Sequence, residues 1–224
     1  EGDERIRRYE KGTYWQVIRL KEKLVLVSLR SFGTVDEPEI SVNLMPDKGL
    51  SGGDVKMATA IIRSLFNMDL DLRHFYEAVE GDKVMAKLVL QLRGLRSPCT
   101  QTVFEALVDS IVEQQISLKV AWSLQRRLTE AFGDVLHLGG KTYYAFPEPG
   151  RLASATIEQL RNCGLSTWKA EYVRDISRLV KEGLDLERFK GHPPAPSVPQ
   201  DHDGSQGGHD EGTHPRHAAR SRKD

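Results

Sequence analysis

The chain has 224 residues, of which 32 are basic and 32 acidic, with hydrophobic and charged fractions of 39% and 29%. These are the proportions of a soluble globular protein of one large or two small domains, and no apolar run is long enough to span a membrane. Zero net charge gives no global basic field, so any nucleic-acid contact has to come from local basic clusters and helix N-termini. The two cysteines, Cys99 and Cys163, form no Cys-x-x-Cys pair. That argues against a zinc ribbon or an iron–sulfur cluster and fits a reducing compartment.

In chain order, residues 14–20 and 24–29 read as strands rich in Val, Ile, Leu and aromatics, joined by the charged turn Lys21-Glu22-Lys23. Residues 40–44 read as a third strand. Gly52-Gly53 opens a helix to about Asn67 with an apolar stripe of Val55, Ala58, Ile61, Ile62, Leu65 and Phe66. Residues 72–79 and 83–92 read as shorter helices. Strands followed by helices indicate an α+β layer. Arg96-Ser97-Pro98 marks a boundary, and from Thr102 on the pattern reads as helices only.

Phe104, Leu107, Val108, Ile111 and Val112 fall at the spacing of a helix with one buried face. A second apolar set, Val120, Ala121, Leu124, Leu128 and Phe132, follows a break at which Ser117 caps the next helix; Gly133 ends it. Gln114, Gln115 and Ile116 therefore lie in a tight corner between two packed helices. Such amides either cap helix ends or form a tip that touches something. Further on, Thr156 with Gln159 forms a capping box, Gly164 ends that helix, and Ser166 caps one running to about Lys181.

Three stretches, FEALVDSIVEQQIS at residues 104–117, FPEPGRLASA at 146–155 and LRNCGLSTWKAEYVRDISRLVKEG at 160–183, together resemble the helix-hairpin-helix DNA glycosylases. Within that superfamily the likeness is to the 3-methyladenine DNA glycosylase II branch and its 8-oxoguanine relatives, not the iron–sulfur branch. The resemblance implies an α+β fold: a small antiparallel sheet with helices over residues 1–97, incomplete at its start, then part of an all-helical core over 98–191. It implies hydrolysis of the N-glycosidic bond of a damaged, alkylated purine in double-stranded DNA, without metal or organic cofactor, in the cytoplasm at the nucleoid. The intact form would be a monomer without membrane attachment. Gln115 aligns with the residue that fills the gap left by a flipped base, with Gln114 and Ser117 beside it. Trp168 and Lys169 are further candidates for base or DNA contact.

The family places a Gly-hydrophobic-Gly hairpin and, about twenty residues later, a catalytic Asp after this segment. Here residues 192–224 hold five of the ten prolines and five of the seven histidines and no Leu, Ile, Phe, Tyr or Trp. That composition cannot offset the entropy of ordering, and a disordered tail is expected, consistent with a shifted reading frame. No catalytic residue is identifiable. Asp185 lies nineteen residues after Ser166, but Cys163-Gly164-Leu165-Ser166 imitates the hairpin only loosely, because Ser replaces its second glycine. The chain as it stands is expected to be inactive and prone to self-association; the alternatives are a non-catalytic DNA-binding fragment or a non-functional product. Trp122 and Tyr172 stand at helical spacing and are expected in the core. Lys119, Arg126, Arg127, Lys169, Arg174 and Arg178 read equally as phosphate contacts or as a solvated face. His202, His209, His214 and His217 match no structural zinc spacing.

Overall fold

The computed structural model describes residues 6–35 and 37–190. Its first part is a four-stranded antiparallel sheet in sequence order: β1 (Arg7–Glu10), β2 (Thr13–Leu20), β3 (Lys23–Gly33) and β4 (Pro38–Pro46). β2 and β3 alternate with a period of two, and both faces are buried. Ile18, Leu20, Val25, Val27 and Leu29 face α1 (Gly52–Leu65), meeting Ala58, Ile62 and Leu65. Val17, Leu24 and Leu26 make up the opposite face. Ser51 and Asp54 form a capping box at the start of α1, and Lys23 Nζ reaches Asp54 at 2.6 Å, tying the helix to the sheet. The short helices α2 (Arg73–Val79) and α3 (Lys83–Gln91) contain no buried residue.

The second part is not helices alone. Between α5 and α6 the chain makes a hairpin, β5 (Asp134–Leu138) and β6 (Lys141–Ala145), in register Asp134↔Ala145 to Leu138↔Lys141. This corrects the all-helical expectation after Thr102. The reason is tertiary: Leu136 and Ala145 cover Val17, Leu24 and Leu26 on the open face of the main sheet. Around the hairpin lie α4 (Val103–Glu113), α5 (Leu118–Phe132), α6 (Pro149–Ala153), α7 (Ile157–Asn162) and α8 (Thr167–Lys181), followed by a 3-10 turn at Glu187–Phe189. Their common core is Phe104, Val108, Val112, Leu124, Leu128, Leu152, Leu160, Ala170 and Val173. The expected caps form: Thr156 and Gln159 make the capping box of α7, and Ser166 Oγ accepts the Lys169 N–H. Polar links also join the two parts. The Gln101 side chain accepts the Arg19 N–H at 3.0 Å and donates to the Arg19 carbonyl at 2.7 Å, and Asp134 pairs with Arg19 and Arg151.

Three details differ from the apolar pattern. Val55 and Val120 are exposed although they fall on predicted stripes, while their neighbours Ala58 and Ala121 are buried. Gly133 does end α5, but with extended backbone (φ −73°) rather than a left-handed one. Its requirement is close approach, since a Cβ there would lie 2.2 Å from the Ala145 carbonyl oxygen and 2.5 Å from that of Thr129. The expectation for residues 192–224 falls outside the described residues. Among the described residues no helix is long and apolar enough to cross a membrane.

Gly133→Ala should lower stability by about 1–3 kcal/mol, because the atoms it meets are backbone and cannot rotate away. Gly150→Ala, in α6 with open space around it, should leave the urea midpoint unchanged or raise it. Equal midpoints for Gly133→Ala and the wild type would remove the close-approach argument.

Candidate nucleic-acid interface

Helix α4 starts at Thr102, whose Oγ1 accepts the Glu105 N–H at 3.0 Å, and buries Phe104, Val108 and Val112. It stops abruptly at Gln114, where ψ swings to 129°. Gln115 then adopts φ 56°, and Ser117 caps α5. Gln114, Gln115 and Ser117 are all exposed and Ile116 is half-buried. A left-handed conformation costs a non-glycine residue about 1–2 kcal/mol. Among the described residues three others pay it: Lys11 and Lys21 sit in two-residue hairpin turns that require it, and Asn67 follows α1. Gln115 is in no hairpin. Its strained backbone sits on an exposed helix–helix corner, the kind of place where strain accompanies function.

The N-terminus of α8 meets this corner. Lys169 Nζ donates to the carbonyls of Val112 and Gln114, both at 2.8 Å. Trp168, one residue earlier, is 69% exposed. Neither α5 nor α8 carries an acid in its first turn. Both helices therefore present an uncompensated positive end beside Gln115, with unpaired backbone N–H groups suited to anions. Lys119, Arg127 and Arg178 are exposed, while Arg174 pairs with Asp175 and Arg126 with Glu130.

On the other side of α4 lies a cavity of about 210 Å³ lined by Arg7, Glu105, Asp109, Trp122, Gln125 and Phe146, among others. Glu105 is only 3% exposed; it pairs with Arg7 and accepts the Gln101 N–H at 3.1 Å. Asp109 stands 3.9 Å from Arg7. Burial, then the neighbouring Glu105 charge, push its carboxyl up to about 7, against the opposing pull of Arg7. Gln125 donates to Glu113 Oε1 at 3.0 Å, linking the cavity wall to the end of α4. Asp109 lies roughly 8 Å along the helix axis from Gln114 at about 1.5 Å per residue. Sequence reading missed this cluster because Arg7 arrives from 98 residues away. The available signal was a run of acids four apart, Glu105, Asp109 and Glu113, along one flank of α4.

Trp122 and Tyr172 are not core residues: both are more than half exposed, Trp122 on the cavity rim. The helical spacing that suggested burial places them at the edge of the stripe, where no described element covers them. Asp185 is also exposed, and its carboxylate accepts the Glu187 N–H at 3.0 Å, capping the 3-10 turn. Lys169 is drawn inward to α4. Among the described residues no His, Cys, Asp or Glu cluster could hold a metal ion.

A model of the HhH-GPD superfamily of base excision DNA repair proteins matches residues 108–219, running past the described residues and past the three stretches quoted above. The chain is 36% identical over 129 residues to the DNA-3-methyladenine glycosylase of Bacillus subtilis (strain 168), covering 58% of this chain and 42% of that protein. It is 32% identical over 134 residues to DNA-3-methyladenine glycosylase 2 of Escherichia coli (strain K12), covering 60% and 46%. The chain spans about half the length of the curated relatives it matches. The 3-methyladenine DNA-glycosylase from Archaeoglobus fulgidus shares the fold with a TM-score of 0.70 at 24% identity, over 84% of this chain and 61% of that one.

The raised Asp109 carboxyl makes stability pH-dependent. Its folded value, about 7, exceeds the ordinary carboxylate value, so the folded state keeps a proton that the unfolded chain releases. Its contribution is full below about pH 4 and is lost as pH rises through 7. Asp109→Asn should therefore gain on the wild type between pH 5 and pH 8, by on the order of 2 kcal/mol. Urea melts at the two pH values measure this; a difference independent of pH would contradict it.

Proposed function

Because the chain belongs to the HhH-GPD superfamily of base excision DNA repair proteins, we propose that its α4–α5 corner enters duplex DNA where a damaged base leaves the stack. The observation that carries this reading is Gln115: exposed, left-handed, two residues before the N-cap of α5 and next to the Gln114 carbonyl that Lys169 of α8 reaches. Base extrusion costs a few kcal/mol, and a side chain that fills the gap and hydrogen-bonds the orphaned base offsets part of it. The extruded base is an alkylated purine by analogy with the relatives, which are named for 3-methyladenine. The cavity one to two turns along α4 supplies an aromatic face from Trp122 and acidic groups suited to a cationic ring.

Base release is a separate matter. Cleavage of the N-glycosidic bond needs a placed carboxylate as positive charge develops on the sugar. Residues 183–224 contain no Gly-hydrophobic-Gly step to anchor a phosphate and set such a carboxylate. Asp185 is engaged at a turn, and Asp109, held near 7, is only partly charged at neutral pH. We therefore read this chain as gripping damaged DNA without releasing the base.

Two measurements test this. Anisotropy should show tighter binding to duplex with an abasic site than to intact duplex, and Gln115→Ala should reduce that preference about 10-fold, the loss of roughly one good hydrogen bond. Equal losses on both duplexes would make Gln115 a general contact. Incubation with duplex carrying an alkylated purine should give no release above background. Release abolished by Asp185→Asn or Asp109→Asn would overturn the non-catalytic reading and name the catalyst.

A further inference from the structure

We propose that Lys169 is a positioning residue for the Gln115 corner: by bridging the carbonyls of Val112 and Gln114, it holds the end of α4 in the conformation that presents Gln115. Its consequence for DNA rests on the wedge reading above; the clamp itself rests on geometry alone.

The last carbonyls of a helix need partners from outside the helix. α5 and α8 close on themselves: the Gly133 N–H reaches the Thr129 carbonyl, and the Glu182 N–H reaches that of Arg178. α4 is closed instead by an ammonium from 55 and 57 residues away, with two donated hydrogen bonds of 2.8 Å. A cation there also complements the negative end of α4.

The position of Lys169 within its own helix makes the assignment specific. It is the third residue of α8, where α1 has Asp54 and α7 has Gln159, each completing a capping box. A lysine at that position opposes the dipole of α8 and forgoes the reciprocal cap. Local helix chemistry therefore gives no reason for it. The reason is at α4, where Gln114 leaves the helix and Gln115 turns left-handed. With two of its three protons directed at carbonyls, Lys169 is not a free phosphate contact. Half-buried, it links the positive end of α8, the negative end of α4 and the strained residue between α4 and α5.

The test uses the full 224-residue chain with Lys169→Met, which keeps the stem and removes the donors, and Lys169→Arg, which keeps the charge and donors. Hydrogen exchange by mass spectrometry should show the last turn of α4 and the corner, residues 111–117, exchanging at least about 10-fold faster in Lys169→Met, with the sheet and α1 unchanged and Lys169→Arg close to wild type. The preference for abasic over intact duplex should fall in Lys169→Met to the level of Gln115→Ala and recover in Lys169→Arg. Unchanged exchange at residues 111–117 overturns the clamp. So does unchanged exchange with equal loss on both duplexes, which would make Lys169 a phosphate contact. Faster exchange in Lys169→Met when even the wild type shows no abasic preference upholds the clamp and sinks the wedge reading instead.

Discussion

Burial of both faces of the β2–β3 strand pair is the constraint from which the rest follows. A sheet with one apolar face needs one covering layer; this one has two. Ile18, Val25 and Val27 are met by α1 within the first part of the chain. Val17, Leu24 and Leu26 are covered from beyond residue 100, by Leu136 and Ala145. Once the β5–β6 hairpin is pinned to the sheet, Gly133 fixes where α5 ends, because its backbone lies directly against the Ala145 carbonyl. α5 in turn fixes the corner at its start, where α4 arrives.

Helix α4 then serves three surroundings at once. Phe104, Val108 and Val112 fill the core. Glu105 and Asp109 turn toward Arg7 and the cavity. Its last carbonyls go to Lys169. Each demand limits the others: the apolar stripe sets the rotation of the helix, and that rotation puts two acids four residues apart on one flank. Burial on that flank, and after it the neighbouring Glu105 charge, is why Asp109 holds its proton to near neutral pH.

The electrostatics are local. A chain with equal numbers of acids and bases has no long-range field to steer DNA. What it has is concentrated at the corner: two helix ends without acids in their first turns, beside exposed Lys119 and Trp168.

The sequence by itself determined what depends on near neighbours. Helical periodicity located α4, α5 and α8. Ser117, Thr156 and Ser166 marked their starts because capping is a contact between residues three apart. The alternation of β2 and β3 was legible for the same reason, as was the family, carried by three contiguous stretches. Tertiary structure alone decided the hairpin at Asp134–Ala145, whose short strands acquire their role only from a sheet more than a hundred residues earlier. It also decided that Trp122 and Tyr172 stay exposed, that Arg7 meets Glu105, and that Lys169 turns back to α4. Spacing shows which residues share a helix face, but not which faces a distant segment covers. That is settled by the packing of elements far apart in the chain, where a single ammonium can close a helix to which it does not belong.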